Sequence, residues 1–212
     1  QNDFIRLYFN TFVMMILRVL CAVVFSAMAA YAFARLDFPG KNILFGLVLF
    51  QMMVPAQIFV IPQYLMVDKM GMKNTVFALV FPGLVSAFGT FLMRQFFMGL
   101  PKELEESARL DGCNIWQTFW KIMFPLVKPT VAAIALFTFL SSWNELMFAM
   151  TFISEPKWKT LTIGLQSLSG MFYTEWGPIG AGMVVATAPV LIIYLLLNRQ
   201  VQNALIMGAV KG

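Results

Sequence analysis

The sequence predicts an all-α protein, a polytopic bundle of membrane-spanning helices, and three observations predict it. Only 12% of the 212 residues are charged, whereas soluble domains carry about 25%. Hydrophobic residues make up 60% of the chain and its mean hydropathy is +0.78. The charge is also missing in blocks, because residues 42–67, 74–93 and 176–198 contain no Asp, Glu, Lys or Arg. A spanning helix needs roughly 20 consecutive apolar residues, and each block is long enough.

Five spans follow in order, near 11–34, 42–67, 74–98, 127–152 and 178–198. The first contains Arg18, about two turns from its start, from where a long stem can snorkel outward; the alternative is a substrate contact. RLDFPGKN (35–42) reads as a tight turn on Pro39 and Gly40, and DKMGMKN (68–74) as a second turn. Pro55, Pro62, Pro82, Gly83, Gly89 and Pro189 fall inside spans. They read either as ordinary kinks or as bends lining a pathway. Gln51, Gln57 and Gln63 suit helix–helix hydrogen bonds. Between the last two spans, TLTIGLQSLSGMF suggests a short surface helix. No internal repeat or second domain is visible, so residues 1–212 read as one membrane domain.

An odd number of spans places the termini on opposite sides. With the C-terminus in the cytoplasm, nine basic residues lie inside (Arg35, Lys41, Arg94, Lys102, Arg109, Lys121, Lys128, Arg199 and Lys211) against five outside. That bias favours a cytoplasmic C-terminus. The chain has no His, which excludes His-based catalysis and His metal sites. Cys21 and Cys113 are isolated and suggest neither a disulfide framework nor a metal site. No nucleic-acid-binding pattern occurs. The chain begins with Gln1 and shows no signal peptide.

One cytoplasmic segment, residues 100–125, gathers charge in a chain that avoids it. Pro101 suits a first helical turn, and Glu103, Glu105 and Glu106 favour the positive end of the helix dipole. Glu105 and Arg109 are spaced to pair, while Leu100, Leu104 and Ala108 line another face. Gly112 fits a C-cap, Asn114 an N-cap, and Trp116, Phe119 and Trp120 a bulky apolar side of the next helix. Residues 102–121 hold three basic and four acidic groups. That balance suits a groove on a partner protein better than an anionic lipid surface, a solvated connector being the alternative.

The segment resembles the EAA motif of ABC importer permeases. Glu106, Ser107 and Ala108 are followed by three residues ending in Asp111, then Gly112, nine residues, and Ile122-Met-Phe-Pro125. Ser107 and Phe124 depart from the motif's alanine and leucine. AAYAFARLDFPGKN, MMVPAQIFVIPQY, FLSSWNELMFAMTF and the ending GAVKG are similar to carbohydrate permeases of the MalG type, so the resemblance covers essentially the whole chain. It implies that the elbow is a coupling helix docking on a cytoplasmic ATPase dimer, with Glu106 as its electrostatic contact, Ala108 as the small residue of close approach, Gly112 as the turn and Pro125 as the stop. It implies a second permease subunit, an external sugar-binding protein, alternating access, and a plasma (inner) membrane location in a bacterium or archaeon. Such permeases usually have six spans, so the first of them is expected to be missing here.

No cofactor is expected on this chain, since ATP and Mg belong to the partner ATPase and G-x-x-x-x-G-K-[ST] is absent. Within the fourth span, Trp143, Asn144 and Glu145 are candidate pathway residues, able to stack on and hydrogen-bond a sugar, or else to hold a neighbouring helix. An ion-coupled secondary transporter is the competing reading, but it calls for several intramembrane carboxylates where Glu145 alone is a good candidate. A membrane-embedded enzyme lacks the reactive groups.

Overall fold

The computed structural model describes residues 3–169 and 176–209, with side chains as far as residue 196. Gln1, residues 170–172 of the TLTIGLQSLSGMF stretch, and Lys211 with the rest of the closing Val210–Gly212 lie outside them. The described chain is helical: α1 (Phe4–Arg35), α2 (Lys41–Met53), α3 (Val60–Lys69), α4 (Val76–Val80), α5 (Ala87–Met98), α6 (Glu103–Leu110), α7 (Ile115–Thr118), α8 (Phe124–Leu126), α9 (Lys128–Trp143), α10 (Met147–Phe152), α11 (Leu161–Gln166) and α12 (Trp176–Ala209). Two helices, Phe4–Arg35 and Trp176–Leu196, are long and apolar enough to span a membrane, and three bent helix pairs raise the number to as many as five. The chain divides into two compact units, one of residues 1–20, 55–84 and 136–196, the other of 21–54, 85–135 and 197–212.

The helix breaks have local causes. Val54 precedes Pro55 and is extended (φ −91°, ψ 125°), as a residue before proline prefers, and α2 ends there. Pro82 and Gly83 sit in a single 3-10 turn after α4. In the second unit, Ser86 starts α5 by accepting from the Gly89 amide at 3.0 Å. Ser26 of α1 meets both backbone groups of Ser86, donating to its carbonyl at 3.1 Å and accepting from its amide at 3.0 Å. Polar groups released by a break in an apolar setting need such partners.

In the first unit, α1 shows two faces. Ile5, Phe9, Ile16 and Leu20 are exposed, whereas Leu7, Thr11, Met14 and Met15 are buried. A segment nearly 150 residues away closes over that buried face. Asn10 Nδ2 donates to the carbonyls of Lys157 (3.0 Å) and Lys159 (2.9 Å), and Thr11 Oγ1 accepts from the Leu161 amide at 2.8 Å. Asn74, in the left-handed region (φ 58°), accepts on Oδ1 from the Ser154 amide, the Ser154 hydroxyl and the Glu155 amide. Residues 153–161 are therefore clasped by three side chains. In the second unit, Met93, Phe97, Phe119, Met123 and Ile134 form the core.

Candidate functional site: the elbow and the helix break

The elbow lies wholly in the second unit. Helix α6 begins at Glu103, so Pro101 precedes the helix rather than entering its first turn. Its inner face carries Ala108, which is buried, and Leu104, which is half-buried; Glu103, Glu106, Ser107, Arg109 and Asp111 are exposed. The helix stops in a Schellman arrangement. The Cys113 amide donates to the Ala108 carbonyl (2.9 Å) and the Gly112 amide to that of Arg109 (3.0 Å), which requires the left-handed φ of +79° found at Gly112. Asn114 then starts α7 with a full capping box, its Oδ1 accepting from the Gln117 amide and its own amide donating to Gln117 Oε1, both at 2.9 Å. Asn114→Ala removes that cap and is expected to cost about 1 kcal/mol locally. Faster hydrogen exchange at the α7 amides of the assembled protein, with little change in global stability, is the expected readout.

The sequence pairs Glu105 with Arg109 by spacing, and here the structure differs. Glu105 is 9% exposed and points inward, where its Oε1 accepts from the Tyr31 hydroxyl at 2.8 Å and its Oε2 lies 3.6 Å from Arg35 Nε. Arg35 Nη2 donates to the Leu100 carbonyl at 2.5 Å. A carboxylate in an apolar surrounding gains more from a fixed guanidinium and a hydroxyl than from an exposed arginine one turn along. Tyr31 and Arg35 are four apart at the end of α1, one turn on one face; that spacing is the only hint of them in the sequence.

Beyond Thr118 the helix widens into a π turn, Phe119–Met123, so the short second helix expected from IWQTFWK runs on to Leu126 with a changed register and its apolar side divides. Phe119 turns in, 5.2 Å from the Tyr31 ring and 4.8 Å from Trp120, while Trp116 and Trp120 remain exposed. Ile122 and Pro125 are half-buried, with Pro125 inside α8 and the bend following at Val127. Two cavities, of about 670 and 220 Å³, adjoin the elbow and share Tyr31, Ile115 and Trp116 in their walls. The elbow thus presents exposed carboxylates on one side and an aromatic-lined hollow on the other.

The sequence-predicted trio of the fourth span sits in the first unit at a gap between α9 and α10. Trp143 is 5% exposed, and its ring packs against Phe12 (5.3 Å), Phe139 (5.7 Å) and Tyr8 (6.2 Å). Buried in this aromatic cluster, the ring is not open as a stacking platform in this structure. Asn144 is exposed and donates to the Leu140 carbonyl at 2.8 Å. Glu145 is half-buried; its Oε1 accepts from the Phe148 amide (3.0 Å), and its carbonyl accepts from Thr162 Oγ1 (2.7 Å). Among the described residues no three His, Cys, Asp or Glu side chains gather to hold a metal.

Residues 22–206 match the family model described as "Binding-protein-dependent transport system inner membrane component". The arabinooligosaccharides transport system permease protein AraQ of Halalkalibacterium halodurans is 36% identical over 194 residues, 92% of this chain and 70% of that protein. The sn-glycerol-3-phosphate transport system permease protein UgpE of Yersinia enterocolitica is 33% identical over 193 residues, 90% of this chain and 69% of that one. Among solved structures, a bacterial ABC transporter involved in the import of the acidic polysaccharide alginate superposes with a TM-score of 0.84 at 26% identity, over 94% of this chain and 75% of that chain.

Proposed function

The chain belongs to the family of binding-protein-dependent transport system inner membrane components, a multi-pass permease subunit of an ABC importer without ATPase activity of its own, and from that premise we propose that it carries a carbohydrate across the membrane and is driven through its elbow. The carbohydrate assignment is supported by two relatives that are permeases for arabinooligosaccharides. Membership of the family implies an ATPase and a binding protein as partners. The finer assembly, a cytoplasmic ATPase dimer with a second permease subunit beside this one and a cytoplasmic C-terminus, belongs to the proposal.

The single observation that carries the coupling role is the elbow's construction. Glu106 is exposed and unpaired among the described residues, six residues before a glycine whose positive φ sets the turn. Ala108, two residues on, is buried at 2%. Ser107, Asp111, Ile122 and Pro125 complete the motif, Ser107 and Asp111 on the exposed side and Ile122 and Pro125 where the chain bends back into the apolar core. In this reading ATP-driven closure of the partner displaces the elbow, and Trp143, Asn144 and Glu145 lie along the pathway that responds.

Glu106→Lys tests the docking face. The variant is expected to insert normally but to recover at least tenfold less ATPase subunit in a pull-down from detergent extract, and to abolish uptake. Wild-type recovery would remove Glu106 from the contact. The solute class is tested in proteoliposomes holding the whole importer and its binding protein, by comparing uptake of labelled arabinooligosaccharide with that of labelled sn-glycerol-3-phosphate. Preference for the second would replace a neutral carbohydrate with a phosphorylated polyol.

A further inference from the structure

Arg18 is an ionisable group of the first unit that the coupling site leaves unexplained. From the sequence it reads chiefly as a snorkelling side chain, a reading that placed it two turns from the start of a helix; the structure moves that start. α1 starts at Phe4, not near residue 11, so Arg18 lies within two residues of the midpoint of a 32-residue helix. It also faces inward. At 100° per residue the exposed Ile5, Phe9, Ile16 and Leu20 share one side of α1, and Arg18 falls opposite them, with the buried Leu7, Thr11 and Met14.

What it faces is a gap in the helical order. A Cβ built on Gly83 would lie 2.2 Å from Arg18 Nε, so the guanidinium rests directly on the backbone of the 3-10 turn Phe81–Gly83. Only glycine leaves that room. Glu145, in the second gap between α9 and α10, acts electrostatically on the same guanidinium, yet no ion pair closes between them. Among the described residues Arg18 makes no hydrogen bond. An arginine with its donors free, near the middle of a long apolar helix, against one stretch of irregular backbone and within electrostatic reach of a carboxylate in another, is placed as polar groups are where they line a pathway.

We propose that Arg18, seated on Gly83 and facing Glu145, is a solute-contacting point of the translocation pathway, taking polyhydroxylated solutes whose oxygens accept from the guanidinium while their hydroxyls donate to the carboxylate. The proposal rests on the carbohydrate-permease reading for its solute class. Donor and acceptor together suit a neutral sugar, and the absence of a direct Arg18–Glu145 bond leaves both groups available to it. Gly83 then has a function beyond bending the chain, since it sets how far the guanidinium withdraws.

The experiment uses the whole importer in proteoliposomes, with Cys21 and Cys113 replaced by Ser and Arg18→Cys introduced. The probe is a membrane-impermeant trimethylammonium methanethiosulfonate, its adduct read by mass spectrometry of this chain. Reaction at position 18 is expected, with a rate differing at least tenfold between the nucleotide-free and vanadate-trapped states. In parallel, Arg18→Met is expected to lower uptake at least tenfold while ATP hydrolysis stimulated by the binding protein persists. Gly83→Ala keeps the charge but displaces the guanidinium, and should lower uptake several-fold. An inert thiol in both states, or wild-type uptake by Arg18→Met, overturns the proposal in favour of a packing role. Nucleotide-dependent reaction in an importer that takes up no carbohydrate would uphold the contact point and overturn the carbohydrate assignment instead.

Discussion

Glu105→Ala is expected to destabilise the elbow by roughly 3–5 kcal/mol, the range found when one partner of a buried ion pair is removed. Both side chains of the pair are well covered, at 6% exposure for Arg35 and 12% for Glu105. Arg35 Nε has no hydrogen-bond partner among the described residues, so the Glu105 carboxylate is its only close counter-charge. The alanine variant leaves that charge uncompensated, deprives the Tyr31 hydroxyl of its acceptor and opens a void beneath α6. The consequence differs from that of Glu106→Lys. Glu106 faces outward, so changing it affects the grip on a partner. Glu105 faces inward, so changing it frees the elbow from the end of α1. In the assembled importer the alanine variant should still bind the ATPase when it survives purification, but hydrolyse ATP with little uptake and melt at a lower temperature. Glu105→Gln keeps an oxygen for Tyr31 and should fall between the two. Tight coupling in the alanine variant, with an unchanged melting temperature, would remove this pair from the transmission path.

The second large effect is expected at Gly112. Its φ of +79° is closed to proline, whose ring holds φ near −65°, and Gly112→Pro would also delete the amide that donates to the Arg109 carbonyl. The elbow must then open, and both docking and uptake should be lost. The informative contrast is Gly112→Asn. No atom lies within 4 Å of a Cβ built at Gly112, so the restriction there is one of backbone conformation alone, and asparagine tolerates the left-handed region. Near-normal uptake by the asparagine variant beside none by the proline variant would identify the turn itself as the requirement. A loss of uptake in both would show instead that a partner's surface closes on the glycine.

How far the sequence reached depends on the range of the interaction concerned. The elbow was legible because its signals are local: Gly112 and Asn114 act on groups within four residues of themselves, and both took the predicted roles. The uncharged blocks located the helices for the same reason, as did Pro39–Gly40, where Gly40 has a φ of +78°. The partner of Glu105 was not legible, since Tyr31 is 74 residues away and nothing local favours it over Arg109. The choice between a pathway and a helix-packing role for Trp143 was likewise not legible, because the Tyr8 and Phe12 rings that engage it come from the far end of the chain. The start of the helix that carries Arg18 was misplaced. Arg6 and Asn10 look like the approach to a span, yet both lie inside α1, where Asn10 is paid for by two carbonyls no window on the sequence can contain.

The clasp on residues 153–161 bears on how the protein is made. Its bonds join positions 80 to 150 residues apart, so the first of them cannot form until the ribosome has passed residue 154, nor the last until it has passed residue 161. α1 therefore enters the bilayer early with the amide of Asn10 unmet, and α4 arrives with Asn74 equally idle. Insertion and folding are separate events in time for this half of the molecule. A nascent chain stalled before residue 153 would display unsatisfied polar groups that the finished one conceals, which is a feature by which membrane quality control can distinguish the two.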